Sequence, residues 1–153
     1  MVQLNINTKI TYGASVFDFD ETVGYSNNVV IAFKGKQSFT IKSNEWPMVG
    51  EKYKSDGWNF DFTDFNKVTD GIPGPLINKL KNQINKYGNE SIYILTARHS
   101  DSEKAIYEWL LTQDIELKLE NVIGIGSSSG EAKAKWIQDN LITNGVNDIY
   151  FVD

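Results

Sequence analysis

The hydrophobic pattern changes period along the chain, and each change marks an element. Val2, Leu4 and Ile6 alternate with polar residues, the period-two signature of a half-buried strand. Ala14-Ser15-Val16-Phe17-Asp18-Phe19 is a compact apolar run broken only by an acid, and it predicts a buried central strand ending in a polar loop. Between residues 24 and 75 the character shifts. Val29, Val30, Ile31 and Phe33, then Phe39, Thr40 and Ile41, predict a hairpin turning at Lys34-Gly35-Lys36-Gln37. Trp46, Tyr53, Trp58, Phe60, Phe62 and Phe65 follow in an otherwise polar stretch. A small satellite core is the expected use of these rings, and a platform on which substrate stacks is the sharper alternative. Gly71-Ile72-Pro73-Gly74-Pro75 reads as a hinge followed by a helix start.

Beyond the hinge, helix and strand patterns alternate. Leu76, Leu80, Ile84 and Tyr87 recur at helical spacing, with Gly88 as a stop. Ser91 to Thr96 reads as a strand, and Ile106, Trp109 and Leu110 as the buried stripe of the next helix. Asn121 to Ile125 reads as a strand, Ala134, Ile137 and Leu141 as a helical stripe, and Asp148 to Val152 as the last strand. Strands separated by helices imply crossover connections, hence an α/β fold with a Rossmann-like parallel sheet flanked by helices. Sites in such sheets lie beyond the carboxyl ends of the strands, which directs attention to the loops after Phe17, Leu95, Ile125 and Val152.

Composition narrows the chemistry. A chain of 153 residues has the length of one domain. It has no cysteine, which excludes disulfides, thiolate metal sites and thiol catalysis, and its single histidine, His99, excludes a multi-histidine zinc centre. Fifteen basic against twenty acidic side chains, a formal charge of -5, argue against a non-specific nucleic-acid coat. No apolar run reaches the roughly 20 residues that span a bilayer, and the amino end lacks a signal pattern, so no membrane partner and a cytoplasmic location are expected.

The four loops carry Asp18 with Asp20 and Thr22, then Thr96 with Arg98, then Lys133, then Asp153. In Val16-Phe17-Asp18-Phe19-Asp20-Glu21-Thr22, in Tyr93-Ile94-Leu95-Thr96-Ala97-Arg98, in Lys133 followed by Trp136-Ile137, and in Tyr150-Phe151-Val152-Asp153, the chain resembles the haloacid-dehalogenase-like superfamily over about residues 14 to 153. It also looks like small domains of that superfamily encoded by tailed phages, which would place it in a host cytoplasm. The resemblance implies a core of about residues 14–23 and 76–153, with residues 24–75 inserted as a β-hairpin and aromatic cap.

Physical chemistry bears on the same residues independently. Side chains two apart at a strand end project to one side, so Asp18 and Asp20 can share a site. Two carboxylates about 4 Å apart repel by roughly 4 kcal/mol at an effective dielectric of 20, and a phosphate dianion adds to this, so a cation is required. Oxygen-only ligands suit Mg2+. The resemblance implies that Asp18 is the nucleophile, forming an aspartyl-phosphate, and that Asp20 is the general acid and base. It further implies that Thr96 donates to the phosphoryl oxygens, that Lys133 neutralises charge, and that Asp18, the Asp20 carbonyl and Asp153 hold the metal. Thr22 would orient Asp20, and Arg98, whose planar fork suits phosphate, would contact substrate.

Other uses of these residues stand beside those roles. Acids at a strand end also cap turns, Thr22 can be a structural hydroxyl, Lys135 competes with Lys133, and His99 and Arg98 can be ordinary surface residues. Gly124-Ile125-Gly126-Ser127-Ser128-Ser129-Gly130 resembles a dinucleotide-binding loop, but its spacing differs by one residue and no acid follows about 20 residues on, so its serines are expected to cap a helix. The superfamily's last motif usually carries a second acid where only Asp153 stands. This leaves three readings: a chain cut inside the motif, the Asp153 α-carboxylate as substitute, or lost activity. The leading expectation is a phosphatase of a small phosphorylated substrate or a nucleic-acid 3'-phosphate end. The alternative is a catalytically inactive domain with a binding or structural role in a phage particle.

Overall fold

A computed structural model of the chain describes residues 12–153. The alternating stretch at Val2, Leu4 and Ile6 lies outside the described residues. In chain order the elements are β1 (Gly13–Phe17), β2 (Gly24–Tyr25), β3 (Val29–Lys34), β4 (Gln37–Lys42), α1 (Trp46–Ser55), β5 (Asn59–Asp61), β6 (Ile72–Pro73), α2 (Ile77–Tyr87), β7 (Ile92–Thr96), α3 (Glu103–Thr112), β8 (Val122–Gly124), α4 (Gly130–Ile137) and β9 (Asp148–Val152). A π-helical turn, Gln138–Ile142, continues α4.

The main sheet is wholly parallel, in the order β8-β7-β1-β9. Buried on both faces, β1 reads as an apolar run because Ala14 and Val16 pack towards Ile137 and Leu141 while Phe17 packs among Ile77, Leu80, Ile106 and Leu110. Thus α2 and α3 cover one face and α4 the other, the arrangement expected of crossover connections. Side chains such as Phe17, Leu80, Ile94 and Leu110 are fully buried, each stabilising the fold by about 1.5–3 kcal/mol relative to exposure. From β1 the sheet grows outward through β7 to β8, and the chain then returns to add β9 on the other side of β1, so the order of growth switches between β1 and β9, the place where sites in such sheets form.

Residues 24–75 form a second layer of structure with its own small core. The expected hairpin is present, with β3 and β4 paired from Val29↔Lys42 to Lys34↔Gln37 across Gly35 and Lys36. The aromatic stretch contains two elements that the pattern reading passed over: helix α1 and strand β5, which pairs with the other edge of β3. Val30, Ala32 and Ile41 are buried against Phe39, Trp46, Val49, Tyr53, Trp58, Phe60 and Phe65. The rings meet edge to face, Phe39 on Trp58 at 4.9 Å and Trp46 on Phe60 at 4.8 Å between centroids, so they form the satellite core. The stretch read as a hinge is a stem: Ile72–Pro73 pairs antiparallel with Gly24–Tyr25, where the segment leaves and returns. A Cβ on Gly74 would lie 2.7 Å from the Thr22 carbonyl oxygen, so only glycine lets the returning chain pass this close to the loop after β1.

Two helical stripes differ from the pattern. In α2 the buried face runs through Ile77 and Leu80, while Leu76 precedes the helix and Tyr87 is exposed at its end. In α4 Ala134 is exposed, and the buried face runs through Lys133, Ile137 and Leu141. A charged residue therefore occupies a core-facing position, because carboxylates wait at its tip. Among the described residues no helix is long and apolar enough to cross a membrane.

Candidate active site

The loop after β1 turns at once into a single helical turn, the N–H groups of Thr22, Val23 and Gly24 all donating to the Phe19 carbonyl. Glu21 takes a left-handed φ of 61° within that turn. The turn sets Asp18 and Asp20 in different surroundings. Asp18 continues the β1 ladder, its N–H donating to the Val152 carbonyl at 2.9 Å, which ties it to the end of β9. Its carboxylate accepts the Phe19 N–H at 2.8 Å.

Lys133 arrives from the first turn of α4, whose N-cap Ser129 accepts from the Ala132 N–H at 3.4 Å as the serine-rich loop led one to expect. The Lys133 ammonium is buried and lies 3.0 Å from Asp18 Oδ1 and 2.7 Å from Asp153 Oδ1. Asp153 also comes within hydrogen-bond reach of Asp18. Burial pushes the Asp18 carboxyl up to about 6, more than the Lys133 charge and hydrogen bond and the Phe19 N–H bring it down. Burial works to raise Asp153 too, but this half-exposed group is held below the ordinary carboxylate range by its hydrogen bond and charge contact with Lys133. Lys135, the competing lysine, is exposed and pairs with Asp139 at 2.7 Å.

Asp20 faces another cation. Arg98 Nε donates to Asp20 Oδ2 at 2.9 Å and Nη2 to Asp20 Oδ1 at 2.7 Å, a two-bond fork. Nη1 donates to the carbonyls of Phe65 at 3.0 Å and Lys67 at 2.7 Å, while Nη2 also reaches Ser26 Oγ and Asn28 Oδ1, each at 3.2 Å. The guanidinium lies between the Phe19 and Phe65 rings, 5.2 and 4.9 Å from their centroids. With its side chain 2% exposed and all five N–H donors engaged, Arg98 has none left for a substrate phosphate in this arrangement. The expected substrate contact is thus replaced by an internal clamp.

The remaining expected residues sit behind these. Thr96 is fully buried, and its hydroxyl accepts the Arg98 N–H at 3.2 Å, which shapes the loop after β7. Thr22 is buried, and its carbonyl accepts the Leu76 N–H at 2.9 Å, which joins the β1 loop to the approach of α2. Among the described residues no hydrogen bond links the Thr22 hydroxyl to Asp20; Arg98 is what orients that carboxylate. His99 is exposed and accepts the Asp101 N–H at 3.3 Å, as a loop cap.

Sequence reasoning did not single out Asn28 or Asp64. Asn28 is fully buried, its amide donating to the Asp64 carbonyl at 2.8 Å, to Asp64 Oδ2 at 3.1 Å and to Thr69 Oγ1 at 3.1 Å. No periodicity or motif could have revealed this, since the partners lie 36 and 41 residues away.

For a divalent cation, the donors brought together are the Asp18 and Asp153 carboxylates, oxygen ligands that share one ammonium. They fit a magnesium ion that keeps most of its waters, and among the described residues no group of three or more acidic, histidine or cysteine side chains gathers to hold an ion more fully. No protein-family model matches this chain, and no curated protein or solved structure matches it.

Proposed function

We propose that this chain is a magnesium-dependent phosphomonoesterase of the haloacid-dehalogenase-like type that works through an acyl phosphate on Asp18, with residues 24–75 as its cap. The observation that carries this reading is the Asp18–Lys133–Asp153 cluster: a half-buried carboxylate at the end of an interior strand, at the switch point of a parallel sheet, with one buried ammonium between it and a second carboxylate. A carboxylate this poorly solvated is a stronger nucleophile than one in water, and the ammonium beside it offsets the charge of an incoming phosphate dianion. Asp18 Oδ attacks phosphorus, the bond to the leaving oxygen breaks, and that oxygen takes a proton from Asp20. Water then attacks phosphorus while Asp20 takes its proton and returns to the acid form; the bond between phosphorus and Asp18 breaks, inorganic phosphate leaves and Asp18 is again a carboxylate. Magnesium held by Asp18, Asp153 and the Asp20 carbonyl would supply further positive charge at the phosphoryl oxygens. Proton delivery requires Asp20 to release at least one bond of its fork with Arg98.

That fork is also the specific observation favouring the second reading, a non-catalytic domain in which Asp20 serves only to join two parts of the chain. Phosphate release from 4-nitrophenyl phosphate with magnesium, measured on the chain and on Asp18→Asn, separates the two. The enzyme reading expects turnover that the substitution abolishes while circular dichroism is unchanged. No release by the unsubstituted chain between pH 5 and 8 overturns it in favour of the second.

A further inference from the structure

The partners of Arg98 fall into two sets. Asp20 and the Phe19 ring belong to the loop after β1, whereas Ser26, Asn28, Phe65 and Lys67 belong to the inserted segment. Neither set satisfies the guanidinium alone. The carbonyls and hydroxyl carry no charge to balance a buried cation, and Asp20 by itself would leave both Nη1 donors without acceptors. Asn28 completes the connection, because its side-chain oxygen accepts from Arg98 Nη2 and from the Thr69 N–H, both at 3.2 Å. Asp64 in turn accepts the Val29 N–H at 2.9 Å, which pins the turn at 63–66 to the start of β3.

We infer that Arg98 is a positioning residue that makes the inserted segment and the Asp20 carboxylate one mechanical unit, so that displacing the 65–67 turn moves Asp20 relative to Asp18. A ligand that shifts the inserted segment thereby controls whether Asp20 can reach the reacting oxygen. This inference deepens the phosphomonoesterase reading as a regulation of its acid/base group, but the coupling itself exists with or without turnover.

Hydrogen exchange on the full chain tests the coupling directly. Asp20 lies outside the inserted segment, yet Asp20→Asn should speed exchange about tenfold at the Val29 and Thr69 amides and leave the β1 and β7 amides unchanged. Arg98→Lys should do the same, since a single ammonium cannot span two carboxylate oxygens and two carbonyls. Unchanged exchange at Val29 and Thr69 in a folded Asp20→Asn overturns the inference, and this variant decides alone should Arg98→Lys not fold.

A second measurement rests on the phosphomonoesterase reading. In Arg98→Lys the rate with an alkyl phosphate, whose leaving oxygen needs a proton, should fall about tenfold further than the rate with 4-nitrophenyl phosphate, whose leaving group departs unaided. An equal fall for both substrates means that Arg98 does not position Asp20 and also overturns the inference. Lack of turnover by the unsubstituted chain counts against the proposed function only, and the exchange result then stands by itself.

Discussion

Asp18 and Asp20 leave the same strand end, but the ammonium cluster at the carboxyl end of the sheet and the seam with the inserted segment treat them in opposite ways. In the cluster, a lysine offers one compact charge to two carboxylates, and burial still leaves the Asp18 carboxyl at about 6. At the seam, an arginine takes both oxygens of Asp20 and uses its remaining donors on main-chain carbonyls and polar side chains. The difference teaches what each cation is suited to. A lysine ammonium neutralises without fixing orientation and leaves carboxylate lone pairs for a newcomer, whereas a guanidinium fork fixes orientation and leaves little free. The ammonium cluster therefore constrains the orientation of its carboxylates less than the guanidinium seam does.

Breaking the seam should have the largest effect. Arg98→Met leaves the Asp20 carboxylate and several buried acceptors without their cation, and should destabilise the fold by about 3–5 kcal/mol in denaturant titration. A loss under 1 kcal/mol would mean that the seam is no tighter than a surface pair.

Asp18→Asn should act in the other direction. Because its folded value is raised to about 6 from an ordinary 3.8, the folded state holds the proton more tightly than the unfolded chain does. Stability from this group is therefore present below about pH 4 and is lost as pH rises to about 6, and above that the full cost, on the order of 3 kcal/mol, applies. The amide has no such cost, so the variant should be more stable by up to about 3 kcal/mol at pH 7.5 and no more stable at pH 3.5. Thermal melts of both proteins across this range check it, and a gain that does not vary with pH would contradict the burial of a charge at Asp18.

Lys133→Met should cost less than Arg98→Met, roughly 1–2 kcal/mol at pH 7, because Asp18 can take a proton and donate it to the neighbouring Asp153 once the ammonium is gone. A larger loss than that of Arg98→Met would reverse the comparison between the two regions. Lys135→Met should be the smallest effect: its exposed pair with Asp139 predicts an unchanged melting temperature and, under the proposed function, unchanged turnover. Loss of activity in this variant would transfer the role given to Lys133.

How much of this was legible in the residues depends on the range of the interaction. Local periodicity sufficed for the parallel core, since an apolar run such as Ala14 to Phe17 can be buried only in a sheet covered on both faces, and the loops after those strands must meet at one end. It likewise sufficed for the β3–β4 hairpin and for Ser129 as a helix cap, because turn and cap preferences act over a few residues. Helix α1 was legible in principle: Trp46, Val49 and Tyr53 keep helical spacing, but the density of aromatic residues concealed it. Lys133 was reachable through a resemblance to a known family's spacing before Trp136 and Ile137 and through its place at a helix start, while its place on the buried face was not, since charge alone suggests solvent.

The sequence by itself determined the alternation of strands and helices in the parallel core, the β3–β4 hairpin and the set of loops brought to one end of the sheet, because backbone geometry and burial of apolar faces dictate those locally. Only the tertiary structure decided how the charges pair. Which carboxylate meets the lysine and which the arginine depends on where the Phe65 and Lys67 carbonyls and the Asn28 amide come to rest. Electrostatic and hydrogen-bond partners are chosen by distance in space, and a fully engaged guanidinium is held by groups up to 78 residues apart that share no local pattern.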